Sequence, residues 1–272
     1  MTLRLMMIRI GLKRSVANRY AFGFYLFGNF ISIAVMFFLW QSVLRHRPSA
    51  VFAETITYLI FMQLLTAVFP KTSFAIHDDI RTGNIARLLL RPVPLLTHYF
   101  WESVGYSFGK LIFIGIPDVI LLVVVRQSAL AWQTLPLLVM AVMLGYVLYF
   151  ELEAIIGLFS FYTYSIWGIN TFKAAVLLAV SGNVFPVNFY PAAVKTIAQF
   201  LPFQYAFGAI GELLSQQQAA DFWPTLFMQS LYICHVIWCL SLAAENSDPT
   251  CCDSGRLADD EICALIVNLF QN

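Results

Sequence analysis

Ile76-His77-Asp78-Asp79-Ile80-Arg81-Thr82-Gly83-Asn84-Ile85-Ala86-Arg87-Leu88-Leu89-Leu90-Arg91-Pro92-Val93-Pro94, with Lys71 just ahead of it, is an island of charge between two long apolar stretches. In a chain that is 60% hydrophobic and only 11% charged, such a segment meets water or another protein, because charge inside hydrocarbon is costly. Gly83 is placed to end one short helix. Asn84 is placed to cap a second, which runs to Leu90 and stops before the Arg91-Pro92 step. The second helix sets Ile85, Leu88 and Leu89 on one side. That apolar edge, with Asp78, Asp79, Arg81 and Arg87 at its rim, predicts a surface for docking a soluble partner. The plainer reading is a solvated loop.

The rest of the chain belongs to the membrane class. Mean hydropathy is +0.76 and aromatics make up 16% of residues. Within hydrocarbon every backbone group bonds internally, so long uncharged runs read as spanning helices. No alternating strand pattern recurs, which argues against a β-barrel. The expected fold is therefore all-α, with six transmembrane helices at about 21–43, 53–69, 101–125, 135–160, 168–185 and 222–242. A net charge of +1 gives no electrostatic case for nucleic acid.

The asymmetry of basic residues orients these spans. Arg4, Arg9, Lys13, Arg14 and Arg19 in the N-terminal arm share a side with Lys71, Arg81, Arg87 and Arg91, whereas the other side receives only Arg45, Arg47, Arg126 and Lys195. The arm and the island are expected to be cytoplasmic. The arm has a partial apolar stripe (Leu3, Met6, Met7, Ile10) and reads either as an interfacial helix or as a plain basic flank. Its apolar continuation is long enough to span and lacks a convincing cleavage site, so it is expected to be retained as the first helix. Between the fifth and sixth spans, Gly182, Pro186, Pro191 and Pro202 interrupt an otherwise apolar segment. That segment is expected to dip back into the outer leaflet.

The order of these features resembles that of the permease subunit of a type-2 ATP-binding-cassette (ABC) exporter. It runs from a basic arm and two spans to Asn84-Ile85-Ala86-Arg87-Leu88-Leu89-Leu90-Arg91-Pro92-Val93. Two more spans and a fifth ending Ser181-Gly182-Asn183-Val184-Phe185-Pro186 follow, then Phe189-Tyr190-Pro191, Leu201-Pro202-Phe203 and a last span. It is similar in particular to a bacterial branch whose permeases accompany a separate ATPase resembling those of daunorubicin exporters. The resemblance covers about residues 1–243. It implies a half-transporter of the bacterial inner membrane that pairs with a second copy or a paralogue and is surrounded by membrane lipids. The island would be the coupling helix, and 182–202 a re-entrant hairpin. The chain holds no Gly-x-x-x-x-Gly-Lys-Ser/Thr; Gly109-Lys110 is followed by Leu111. It is expected to be no enzyme and to bind no cofactor, with ATP and Mg on the cytoplasmic ATPase.

Ionisable residues within the expected spans are Lys110, Asp118, Glu151, Glu153 and Lys173. Glu151 and Glu153 are two apart and point in different directions. They are expected to pair with Lys110 or Lys173, to sit near the interface, or to line a substrate path. A proton-coupled secondary transporter using Glu151 and Glu153 is the alternative function; it would gain support from inverted repeats, and none is convincing. His46, His77, His98 and His235 are widely separated and form no metal-binding or catalytic pattern, and the five cysteines read as incidental. After Leu242 the chain turns acidic where a basic flank is expected. Codons exist for Glu245 to Arg256 that, read one base later, encode KILTQLAVIQGG, with a stop following through Leu257-Ala258. Residues 244–272 are therefore expected to be a frameshifted or disordered tail on a 1–243 permease domain.

Overall fold

The computed structural model describes residues 3–17, 19–91, 93–125, 133–216 and 219–245. Among them every regular element is helical, as backbone satisfaction in an apolar chain requires. Four helices are long and apolar enough to cross a membrane: Gly23–Val43, Ser49–Arg81, Leu95–Val125 and Leu135–Phe161. Each contains or joins named elements. The first lies in α2 (Arg19–Val43). The second is α3 (Ser49–Val68) followed by α4 (Thr72–Arg81), after which comes the six-residue α5 (Asn84–Leu89). The third is α6 (Leu95–Lys110) continued by α7 (Ile116–Val125), and the fourth is α8 (Leu135–Leu158) with a closing 3-10 turn. The chain is a multi-pass membrane protein.

Two features depart from the expected spans. The fifth, α9, covers only Trp167–Val180, 14 residues, or about 21 Å at 1.5 Å per residue. It stops short of a full crossing because the chain turns at Ser181-Gly182, where Gly182 has a φ of 80°. Phe185, expected in the span, lies beyond the helix end and instead stacks near Trp40 (6.1 Å between ring centroids). In the third span, a π-helical turn at Leu111–Gly115 separates α6 from α7. Pro117 explains it: proline has no N–H for the carbonyl four residues back, and the helix widens just before it.

The core is α3, α8 and the segment that follows α9. That segment forms α10 (Ala192–Gln199), α11 (Pro202–Ala206) and α12 (Gly208–Gln216), and then the 27-residue α13 (Ala219–Glu245) completes the bundle. Ala206, Phe207, Ile210, Leu213 and Leu214 are buried with Tyr58, Met62 and Leu65 of α3 and Leu148 and Tyr149 of α8. The Phe207 ring lies 5.1 Å from Phe69 and 5.0 Å from Tyr149. The segment carrying Gly182, Pro186, Pro191 and Pro202 leads into these core helices, while Phe189, Ile197 and Phe200 along it stay exposed. By contrast, the N-terminal arm, α1 (Leu3–Ala17), lies along α6 in the same direction, Ile8 against Gly105 and Ser15 against Gly109. Backbones approach so closely there that a Cβ on Gly11 would sit 2.0 Å from the Glu102 carbonyl oxygen, and one on Gly105 2.1 Å from that of Ile8. Only glycine fits. The turn at Arg126 and the acidic tail, with its frameshift reading, lie outside the described residues.

Candidate functional site

The break between α3 and α4 organises the polar chemistry of the molecule. Phe69 N–H still bonds Leu65 O at 2.8 Å. Pro70 then has no N–H to offer, and α4 starts afresh at Thr72. A broken helix leaves carbonyls at one end and amides at the other, and in an apolar surrounding side chains must meet them. Two charged residues do so. Lys110 Nζ donates to the Phe69 carbonyl (3.3 Å). The Ser73 N–H and hydroxyl both donate to Glu153 Oε2 (3.2 and 2.7 Å). The carboxylate therefore sits at the amide end of α4, where the helix dipole favours negative charge.

Glu153 is fully buried, and its other oxygen accepts from Lys173 of α9. Lys173 also donates to Asn170 Oδ1 (2.8 Å), which lies 3.1 Å from Ser73 Oγ. One cluster thus ties α4, α8 and α9 together. Further along, His77 Nδ1 meets Ser160 Oγ at 3.0 Å, a second tie from α4 to the end of α8. Of the pairings the sequence offered, Glu153 with Lys173 is the one formed. Among the described residues Lys110 has no carboxylate partner; besides the carbonyl, it lies over the Tyr106 ring (5.0 Å). Glu151 faces elsewhere on α8, with Oε2 buried and without a hydrogen-bond partner. Asp118 accepts from Asn29 (2.7 Å), joining α7 to α2. A proton relay through both glutamates loses Glu153 to the cluster.

The island forms the two short helices that its sequence calls for, parted by Gly83 with a φ of 69°. Their apolar edge, however, points inward. Ile85 and Leu88, expected at the docking surface, are buried with Ile76, Leu95, Tyr99, Phe150 and Ala154. The Leu89 side chain lies outside the described residues. Asn84 is not a side-chain cap: Gly83 holds the cap position, and the Asn84 amide donates to Asp79 Oδ1 (2.7 Å). Tyr99 donates to the other Asp79 oxygen (2.7 Å), so Asp79 also faces the bundle.

What the island exposes is Asp78, Arg81, Arg87, Arg91 and Leu90, the last 86% exposed. Arg81 reaches the α8–α9 connection, where it donates to Tyr164 Oη (2.9 Å) and stacks over that ring at 4.5 Å. Tyr162 and Tyr164 are both largely exposed. Charge counting passed over this connection, which has no basic residue; the signal was its run of aromatics, Phe161-Tyr162-Thr163-Tyr164. The result is a solvent-facing patch of three arginines, one aspartate, one leucine and two tyrosines, spread over α4, α5 with its C-terminal end, and the α8–α9 connection. Tyrosine and arginine are the residue types that dominate binding energy at protein interfaces.

Of the four interrupting residues after α9, Gly182 is the one with a defined polar role. Its carbonyl accepts from Tyr58 Oη (2.7 Å), and its N–H donates to Tyr190 Oη (3.2 Å). Pro186, Pro191 and Pro202 each stand at the start of a short helical turn (Val187–Phe189, α10 and α11), where a fixed φ and a missing N–H do no harm. Compared with known proteins, residues 24–238 match a family model described as ABC-2 family transporter protein. No curated protein matches the chain.

Proposed function

From the premise that the chain belongs to the ABC-2 family of transporter proteins, as a membrane permease component of an ABC transporter, we propose that it is the permease of an exporter. It docks a separate cytoplasmic ATPase through the exposed face of α4, α5 and the α8–α9 connection. The observation that carries this reading is the patch itself. Arg81, Arg87, Leu90, Tyr162 and Tyr164 stand exposed on α4, α5 and its end, and the α8–α9 connection. ATP and Mg belong to the ATPase, in this reading one of the daunorubicin-exporter type. The patch faces the cytoplasm of a bacterial cell because it shares a side with the basic arm. Force from the ATPase enters α4 and leaves through Glu153 into α8 and α9. Export, as against import, is the direction that the resemblance implies.

A half-transporter needs a second permease chain, identical or paralogous. α2 supports this, because within the chain it packs chiefly on α3 and the π-helical turn. Phe24, Phe27, Val35 and Phe38 are left exposed for lipid or a second copy. The test of the docking face is Arg87→Glu combined with Leu90→Asp, purified with the co-expressed ATPase. The permease should still insert, while the ATPase is lost from the complex and cargo export fails. An intact complex with full transport would overturn the assignment.

A further inference from the structure

A cavity between α1, α2, α3 and α6 has a volume of about 610 Å³, within the usual range for ligand sites of ~300–1,000 Å³. It is bounded by three cations, Arg14, Lys71 and Lys110, and by one carboxylate, Glu102. Arg14 is bonded to Glu102. The lysines are not compensated: Lys71 has no hydrogen-bond or ion-pair partner among the described residues, and Lys110 meets only a carbonyl and a ring. The next carboxylate, Glu153, is already held by Lys173 and Ser73. The cavity is therefore lined by two lysines that have no carboxylate partner among the described residues.

Its remaining walls are mixed. Gln63 and Thr66 of α3 supply hydrogen-bonding groups, whereas Phe24 of α2 and Ile114 of the π-helical turn are apolar. Phe24 is also one of the most exposed residues of its helix, so the apolar side of the cavity continues onto exposed apolar surface. A free anion would leave that side unused, and a neutral hydrocarbon would leave both lysines without a polar group to meet. We propose that this cavity binds one amphiphile with a phosphate or carboxylate headgroup. Lys71 and Lys110 face the headgroup, Gln63 bonds it, and the chain lies along Phe24. The site is complete within one chain, so it stands or falls independently of ATPase docking.

The test is native mass spectrometry of the full chain purified in detergent. The probes are phosphatidylglycerol and phosphatidylcholine with identical acyl chains, and dodecyl phosphate. The expected result is one phosphatidylglycerol per chain, retained at energies that strip phosphatidylcholine. Lys71→Gln should weaken it roughly tenfold or more, as loss of one charge contact worth about 1.4 kcal/mol would. Lys13→Gln, an exposed cation on α1 outside the cavity, should leave it unchanged. Because Lys71 is exposed, its variant should also melt like the parent. If phosphatidylglycerol survives purification without addition, the ligand is a bilayer lipid; if dodecyl phosphate alone binds, it is a single-chain amphiphile taken from the membrane. Equal retention of phosphatidylglycerol and phosphatidylcholine overturns the proposal. So does an equal loss with Lys71→Gln and Lys13→Gln.

Discussion

Two breaks interrupt the helices of this bundle, and they are repaired with different chemistry. At Phe69–Lys71 the freed backbone groups are met by charges, Lys110 at the carbonyl end and Glu153 at the amide end. At Ser181–Gly182 they are met by neutral hydroxyls, Tyr58 and Tyr190, together with Ser181 itself. The difference follows what each break leads to. Beyond the first lies α4, which emerges as the exposed patch; beyond the second, the chain folds back into its own core through Phe207 and Ile210. A charged cluster resists displacement more than a pair of hydroxyls does, because separating a buried pair leaves an uncompensated charge. The charged break is suited to transmit force, and the neutral one to seat a hairpin.

The comparison breaks if the charged junction proves no stronger than the neutral one. Glu153→Ala should cost about 3–5 kcal/mol, the range for removing one member of a buried ion pair. This is read as a large drop in melting temperature of the purified permease. Replacing both members, Glu153→Leu with Lys173→Met, should recover much of the loss, because no charge is then stranded. A single variant that melts like the parent would remove the clamp from the account.

The inner face of the island sharpens the contrast. Leu88→Ala should cost about 2–5 kcal/mol, as truncation in a packed core does, and Leu88→Asp should yield little folded protein at all. Leu90→Asp, two residues on, should melt normally and lose only coupling. If Leu88→Asp instead folds well and merely uncouples, the apolar edge faces the ATPase after all. On the neutral side, Tyr58→Phe strips a donor from the buried Gly182 carbonyl and should cost about 1–3 kcal/mol, less than Glu153→Ala. The smallest effect belongs to Arg81→Ala. Its stacking on Tyr164 is exposed and contributes roughly 0.5–1 kcal/mol, so stability should barely move while ATPase stimulation by the permease falls.

Much of this organisation was legible in the residues, and the failures have a common cause. The two short helices about Gly83 follow from local rules: glycine tolerates positive φ, and Arg91-Pro92 cannot continue a helix. Which way their apolar edge points does not follow. Ile85 and Leu88 present the same stripe whether it meets a partner or the chain's own Leu95, Tyr99 and Phe150, and only the long-range packing of α6 and α8 decides. The short fifth helix failed likewise. Apolar composition runs on through Val184-Phe185, but the turn at Gly182 is stabilised by Tyr58, 124 residues away. For the buried charges, placement within the expected spans offered Glu153 two lysines as partners. The choice of Lys173 rests on α9 lying beside Ser73.

The proposed docking face for the ATPase is formed by α4, α5 and the α8–α9 connection. Photo-crosslinking in intact cells tests it most directly, with a benzophenone amino acid placed at Leu90, or at Val43 at the opposite end of α2, and the ATPase co-expressed with a tag. An ATPase adduct is expected from position 90 and none from position 43, with both variants inserted in the membrane. An adduct from position 43, or none from position 90 in a transporting complex, would contradict it.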